Sequence, residues 1–323
     1  MKNGQLFIGV LTCLIASMSW GAMFPVADHA LAFVDPFYFS SIRYGVVAVI
    51  LVILLLVREG KKSFRLEGKA KLLVFFGVMA FTVYNVFIFG GQRLMGESGI
   101  MTASIAEALM PIISIFILWG YKHVKPKKYK IISIMIAFFG AAFVITKGDM
   151  SFFYTLKDNL FSLTFILMGV VGWVIYTMGG QLFQEWSTLR YSTLTCLFGT
   201  AVTGILTAVL TAQGYVSIPS IKVIAEIKYD LLFMITLPGI VALLSWNYGV
   251  KILSPINGIL FINFVPITTL IIMMLQGSKI TTFDVAGTLL VMTALILNNI
   301  FQRKEDKNDK QSLESEQTQL TIS

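Results

Sequence analysis

Long apolar stretches separated by short polar ones run along the chain from near its beginning. A bilayer core of about 30 Å is crossed by about 20 mostly apolar residues in a helix. Ten windows meet that requirement, at residues 5–27, 36–57, 70–91, 98–119, 130–147, 160–183, 191–212, 231–250, 254–276 and 283–302. The pattern predicts an all-α integral membrane protein with ten transmembrane helices. Beyond Phe301 the chain turns polar (QRKEDKNDKQSLESEQTQLTIS). A tail over 303–323, with almost nothing apolar to bury, is expected to be disordered and cytoplasmic. The first apolar run has a single Lys ahead of it and no small-residue cleavage site before Trp20. It reads as a retained membrane helix, not a signal peptide.

Composition strengthens this picture. Charged residues make up 13% and hydrophobic ones 56% of the chain, against about 25% and 45–50% in soluble domains. So little polar surface cannot cover one water-soluble core. The net charge of +8 could suggest nucleic acid, but its placement argues for membrane loops. Six basic residues lie in 58–71, five in 120–130 and four at the C-terminal end, all flanking apolar stretches. With both termini in the cytoplasm, eighteen Lys and Arg face inward and six outward, with Arg43 inside a helix. That bias predicts a multi-pass protein of the cell membrane in this orientation.

Chemistry-bearing motifs are sparse. Cys13 and Cys196 lie within apolar runs, and His29 and His123 are far apart, so neither a disulfide nor a metal cluster is expected. No Gly-rich phosphate loop and no nucleophile elbow are visible, so neither an enzyme, nor a cofactor, nor direct use of ATP is expected.

A repeat organises the apolar segments. Trp20 to Pro111 spans 91 residues and Trp173 to Pro266 spans 93; beyond each proline, Pro111 to Gly140 is 29 and Pro266 to Ala294 is 28. The spacing predicts two five-helix repeats, 1–147 and 148–302. An odd number of helices per copy inverts the second relative to the first. Inverted repeats with a site near the midplane are typical of alternating-access carriers.

The residues at these positions resemble a known family. The first apolar segment carries Trp20-Gly21-Ala22-Met23-Phe24-Pro25, and the second has Pro36 followed seven residues later by Arg43. The fourth reads Thr102-Ala103-Ser104-Ile105-Ala106 and then Pro111, the sixth has Trp173 and Tyr176, and the ninth repeats the late proline at Pro266. Together, over residues 8–301, these are similar to EamA-type members of the drug/metabolite transporter superfamily. The resemblance implies a ten-helix, two-repeat carrier of metabolites, amino acids or drug-like solutes, often moving them outward. It does not choose among them. The chain departs from the family pattern with Val265 before the second proline and with a glutamate at Glu107.

Polar residues within membrane helices usually face a cavity or one another. Glu107, ten residues past Glu97, lies about 15 Å from the outer surface at 1.5 Å per residue. It can bind a cationic substrate or load a proton, or simply join two helices. Arg43, about 10 Å from the same surface, can neutralise Glu107, snorkel to the interface or brace helix ends. Trp20, Tyr84, Trp173, Tyr176 and Trp246 lie deep enough to line a cavity and hold an organic cation, whereas Trp119 and Trp186 read as interfacial belt residues. Asn85, Asn247, Asn257 and Asn263 most commonly join helices, with Asn263, three residues before Pro266, best placed to meet substrate. The expected substrate site is therefore Glu107, Trp20, Trp173, Asn263, Arg43 and Tyr84. The alternatives are a non-transporting sensor or channel, or a membrane-embedded enzyme, for which no nucleophile–base pair is visible. The expected partners are a small-molecule substrate and the lipid bilayer, without nucleic acid; the oligomeric state is left open.

Overall fold

Asp35 and Pro36 show how tightly the helices follow one another. Asp35 accepts the N–H of Phe37 at 2.9 Å, and Pro36 occupies the first helical position, where its missing N–H costs nothing. Helix α1 (Asn3–Leu31) thus passes into α2 (Pro36–Glu59) through four residues. Gly60, at φ +76°, ends α2 in a backbone conformation that side chains disfavour.

The computed structural model describes residues 3–122, 156–278, 280–294, 296, 297, 300 and 301, and between them 128, 129, 132, 133, 135, 136, 139, 140, 143 and 148. The remaining longer helices are α3 (Ala70–Leu94), α4 (Gly99–Glu107), α5 (Met110–Lys122), α6 (Leu156–Gly179), α7 (Thr188–Ala212), α8 (Lys228–Leu253), α9 (Pro255–Leu275) and α10 (Thr282–Ala294), with a further short helix at Ile221–Glu226. No strand occurs among the described residues. Seven of these helices are long and apolar enough to cross a membrane, and α4 with α5, bent by 45°, makes up to one more. Most of the span expected at 130–147, and the tail expected at 303–323, lie outside the described residues.

Packing explains both surfaces of the helices. Outward faces carry exposed Phe7, Val57, Ile205 and Leu232, as a lipid solvent allows. Inward, α1 lies along α8 and α9, α2 along α7, and α3 along α6 and α7. Small residues set the closest approach: a Cβ on Gly199 of α7 would come within 2.1 Å of the Gly77 carbonyl oxygen of α3. Such contact replaces a hydrophobic drive that lipid cannot supply.

Three irregularities fall at mid-depth. Val78–Tyr84 in α3 and Ile235–Ala242 in α8 are π-helical, and Leu260–Asn263 in α9 winds as a 3₁₀ turn just before Pro266. Between α4 and α5 the cause is Pro111: it lacks the N–H that would bond the carbonyl four residues back, which belongs to Glu107. The break therefore falls where the one carboxylate of that segment sits.

Candidate functional site

Five helices meet at a buried aromatic cluster. Trp20 of α1 makes edge contacts with Trp173 of α6 and Trp246 of α8, with ring centroids 5.0 and 5.2 Å apart. Trp173 in turn contacts Tyr84 of α3 at 4.9 Å and Tyr176 of its own helix at 5.2 Å. The Tyr84 hydroxyl donates to Glu107 Oε1 at the end of α4. Trp20 Nε1 donates to the Pro238 carbonyl at 3.3 Å, within the π-helical part of α8. Glu107 is 1% exposed, and neither its Oε2 nor Trp173 Nε1 has a partner among the described residues.

Arg43 is close by but not part of this ring. It is 0% exposed, yet no carboxylate of the described residues lies within ion-pair distance of it, Glu107 included. Its Nη2 donates to the Tyr44 hydroxyl at 2.9 Å and approaches Met23 Sδ at 3.7 Å. The guanidinium lies over the Tyr44 and Phe89 rings at 4.5 and 5.6 Å. Its Nε and Nη1 have no partner among the described residues. Met23 is three residues from Trp20, so Arg43 sits about one turn of α1 from the tryptophan cluster. Tyr84 lies within electrostatic reach of both Arg43 and Glu107.

Four of the expected residues, Trp20, Tyr84, Trp173 and Glu107, thus meet directly, and Arg43 borders them. Asn263 stands apart. It is buried, its Oδ1 has no partner among the described residues, and no hydrogen bond or ring contact joins it to the cluster. The other three asparagines mostly tie helices: Asn247 Nδ2 donates to the Tyr176 hydroxyl at 2.7 Å and to Ser192 Oγ at 2.8 Å. Asn257 of α9 donates to the Leu253 carbonyl at the end of α8, and Asn85 to the Ala80 carbonyl of its own helix.

Sequence reasoning missed what lies beneath. A small pocket of about 40 Å³ opens toward the end of the bundle that carries the 58–71 loop, lined by Thr177, Gln181, Tyr191, Asn247 and Lys251 among others. It is one side-chain layer from the cluster, since Tyr191 stacks on Tyr176 at 5.3 Å and Trp246 Nε1 donates to Thr177 Oγ1 at 3.1 Å. Its polar lining is spread over α6, α7 and α8, with no local motif to reveal it.

A clasp covers that pocket. Trp186 is buried, not at a lipid-facing belt, and its Nε1 donates to Glu67 Oε2 at 2.8 Å. Arg190 Nη2 donates to Glu67 Oε1 at 2.7 Å and to the Arg65 carbonyl, and its guanidinium lies 3.7 Å above the Trp186 ring. Ser187 Oγ donates to Glu59 Oε1 at 2.6 Å, and Lys251 Nζ to the Trp186 carbonyl at 2.7 Å. The Arg190 and Trp186 hydrogen bonds hold the Glu67 carboxyl below its ordinary value.

Long apolar helices packed around a buried cluster of aromatic and charged groups define a multi-pass membrane protein. The chain belongs to the EamA-like transporter family, whose model matches it twice, over residues 7–146 and 160–300. It is 78% identical over 322 residues, covering 100% of both chains, to the uncharacterized transporter YrdR of Bacillus subtilis (strain 168). It is 28% identical to the uncharacterized transporter YyaM of the same organism, over 92% of this chain and 94% of that one. A solved structure described as "Crystal structure of protein" superposes with a TM-score of 0.68, covering 94% of this chain and 99% of that one at 14% identity. That likeness concerns the fold.

Proposed function

We propose that the chain is a secondary transporter working by alternating access, and that its cargo is a small solute bearing both an amine and a carboxylate. One observation carries this reading: a buried carboxylate and a buried guanidinium share one core, each has unpartnered polar atoms, and they do not pair with each other. Charges in a membrane interior are costly and normally pair. A zwitterion completes both, its ammonium on Glu107 Oε2 and its carboxylate on Arg43. The rings of Trp20, Trp173 and Tyr84 enclose the ammonium end. Amino acids and amino-acid-like metabolites have this chemistry.

Ten helices in two inverted repeats suit such a carrier. Support comes from paired irregularities: the π-helical segments of α3 and α8 begin 33 and 31 residues before Pro111 and Pro266, and each proline follows a broken or 3₁₀ turn. Glu107 would exchange a proton for substrate, driving export across the cell membrane with both termini in the cytoplasm. Asn263, beside the second break, would enter the site only as the repeats move.

Counterflow in proteoliposomes tests this with amino acids, tetraethylammonium and simple carboxylates as probes. Saturable flux is expected for the zwitterions alone. Glu107→Gln should abolish it or its pH dependence, and Arg43→Gln should raise KM about tenfold or more, a charged hydrogen bond being worth ~1.5–3 kcal/mol. Unchanged flux and unchanged pH response in Glu107→Gln would sink the reading.

A further inference from the structure

The lipid-facing side of the bundle carries a groove that lies apart from the aromatic cluster. Helices α1 and α8 form one close pair and α2 and α7 another, while α1 and α2 touch little. The seam between the pairs opens into this wide groove of about 550 Å³. Its walls are mainly apolar, with Leu54 from α2, Leu189 from α7 and Leu244 from α8. Arg58, next to last in α2, lines its mouth.

Depth along the helices shows what fits. Arg58 stands at the helix end, where a membrane helix meets the headgroups. Tyr248 lies five residues inside the end of α8 and Leu244 nine, about 8 and 14 Å deep at 1.5 Å per residue. A cation at the mouth, a phenol at the level of glycerol esters, and an apolar slot below follow the order of parts in a phospholipid. Arg58 is also free to bind. Lys69, Arg190 and Lys251 at the same end are committed to the Leu182 carbonyl, Glu67 and the Trp186 carbonyl. Arg58 has no hydrogen bond or ion pair among the described residues. Lys61, Lys62 and Arg65 follow directly in sequence and add positive field at this surface.

We propose that this groove binds one anionic phospholipid from the leaflet on the basic side, with an acyl chain along Leu54 and Leu244 and the phosphate on Arg58. Arg suits the phosphate because its planar fork matches two oxygens. The seam borders helices from both matched segments of the chain, 7–146 and 160–300. The lipid therefore wedges between the two pairs and stabilises the arrangement seen here, in proportion to its occupancy.

The test titrates the purified full-length chain in detergent with dioleoylphosphatidylglycerol, dioleoylphosphatidylcholine or free glycerol 3-phosphate. Thermal unfolding and native mass spectrometry are the readouts. Phosphatidylglycerol should raise Tm by about 2–4 °C and leave one retained lipid, whereas the other two should do neither. Arg58→Gln should weaken the phosphatidylglycerol effect about tenfold, and Leu244→Trp, which fills the slot, should remove it. Lys61→Gln with Lys62→Gln should leave most of it intact. Equal effects of the two lipids, or of glycerol 3-phosphate, would overturn the proposal. So would an equal loss in the Lys61/Lys62 variant, which would mean diffuse surface attraction, or an undiminished effect in Arg58→Gln.

Discussion

The two ends of the bundle are closed by different chemistry. At the end with the 58–71 loop, Glu67, Trp186 and Arg190 interlock around a buried indole, and Glu59 and Lys251 add further ties. At the opposite end, the ties between segments 7–146 and 160–300 bury no indole: the Ser41 and Thr207 hydroxyls meet at 2.8 Å, and Thr207 Oγ1 donates to the Phe37 carbonyl at 3.4 Å. His29 Nδ1 meets Asp230 Oδ2 at 2.7 Å with the histidine 55% exposed, and the Tyr38 hydroxyl meets Thr211 Oγ1 at 2.8 Å. An aromatic ring removed from water and bonded on its edge holds more strongly than an exposed pair screened by solvent. Opening toward the pocket beneath therefore requires the clasp to part, whereas opening at the far end breaks a largely exposed ion pair and a few hydroxyl hydrogen bonds.

The contrast can be broken most sharply at Trp186. Trp186→Ala should cost about 3 kcal/mol, as other deletions of buried rings do, and lower Tm in detergent. A cysteine at Thr177, buried where it lines the pocket, should then react faster with a membrane-impermeant thiol reagent, while one at Tyr38 should not change. Equal changes at both ends would remove the distinction.

A smaller effect is expected at Glu67. Its folded-state pKa is depressed below the ordinary 4.5 by its hydrogen bonds to Arg190 and Trp186. Its contribution is thus complete above 4.5 and is lost as pH falls through the lower folded value. Labelling at Thr177→Cys should rise as the medium is acidified through that window. Glu67→Gln should show the raised level already at neutral pH and no further rise. A Glu67→Gln variant that retains the acid-induced rise would assign it to another group.

The smallest effect belongs to the opposite end. His29→Ala removes one mostly exposed pair, worth about 0–1 kcal/mol, and should leave Tm within about a degree. A loss comparable to that of Trp186→Ala would show both ends to be equally sealed.

Several elements were legible in the chain because lipid leaves few choices. The windows at 36–57, 70–91 and 191–212 fall within α2, α3 and α7, since a backbone in hydrocarbon must satisfy its hydrogen bonds within a helix. The break at Pro111 was legible for a similar reason, as proline removes one donor at a known place. Trp186 was not. Placed near a helix end, it looks like a belt residue until the 58–71 loop folds over it. Arg43 was equally undecided, because salt bridge, snorkel and brace are the same letters in sequence; its partner proved to be the adjacent Tyr44.

By itself, the sequence determined that this is a multi-pass helical membrane protein, where most of its helices start and stop, and that Trp20, Tyr84, Trp173 and Glu107 lie deep. These follow from local rules of burial, length and missing donors, which act within one helix. Only the tertiary structure decided that those four meet, that Arg43 does not pair with Glu107, and that loops 120 residues apart close one end. Each of these depends on which helix faces share a neighbour, and apolar helices in lipid carry little of that information along the chain.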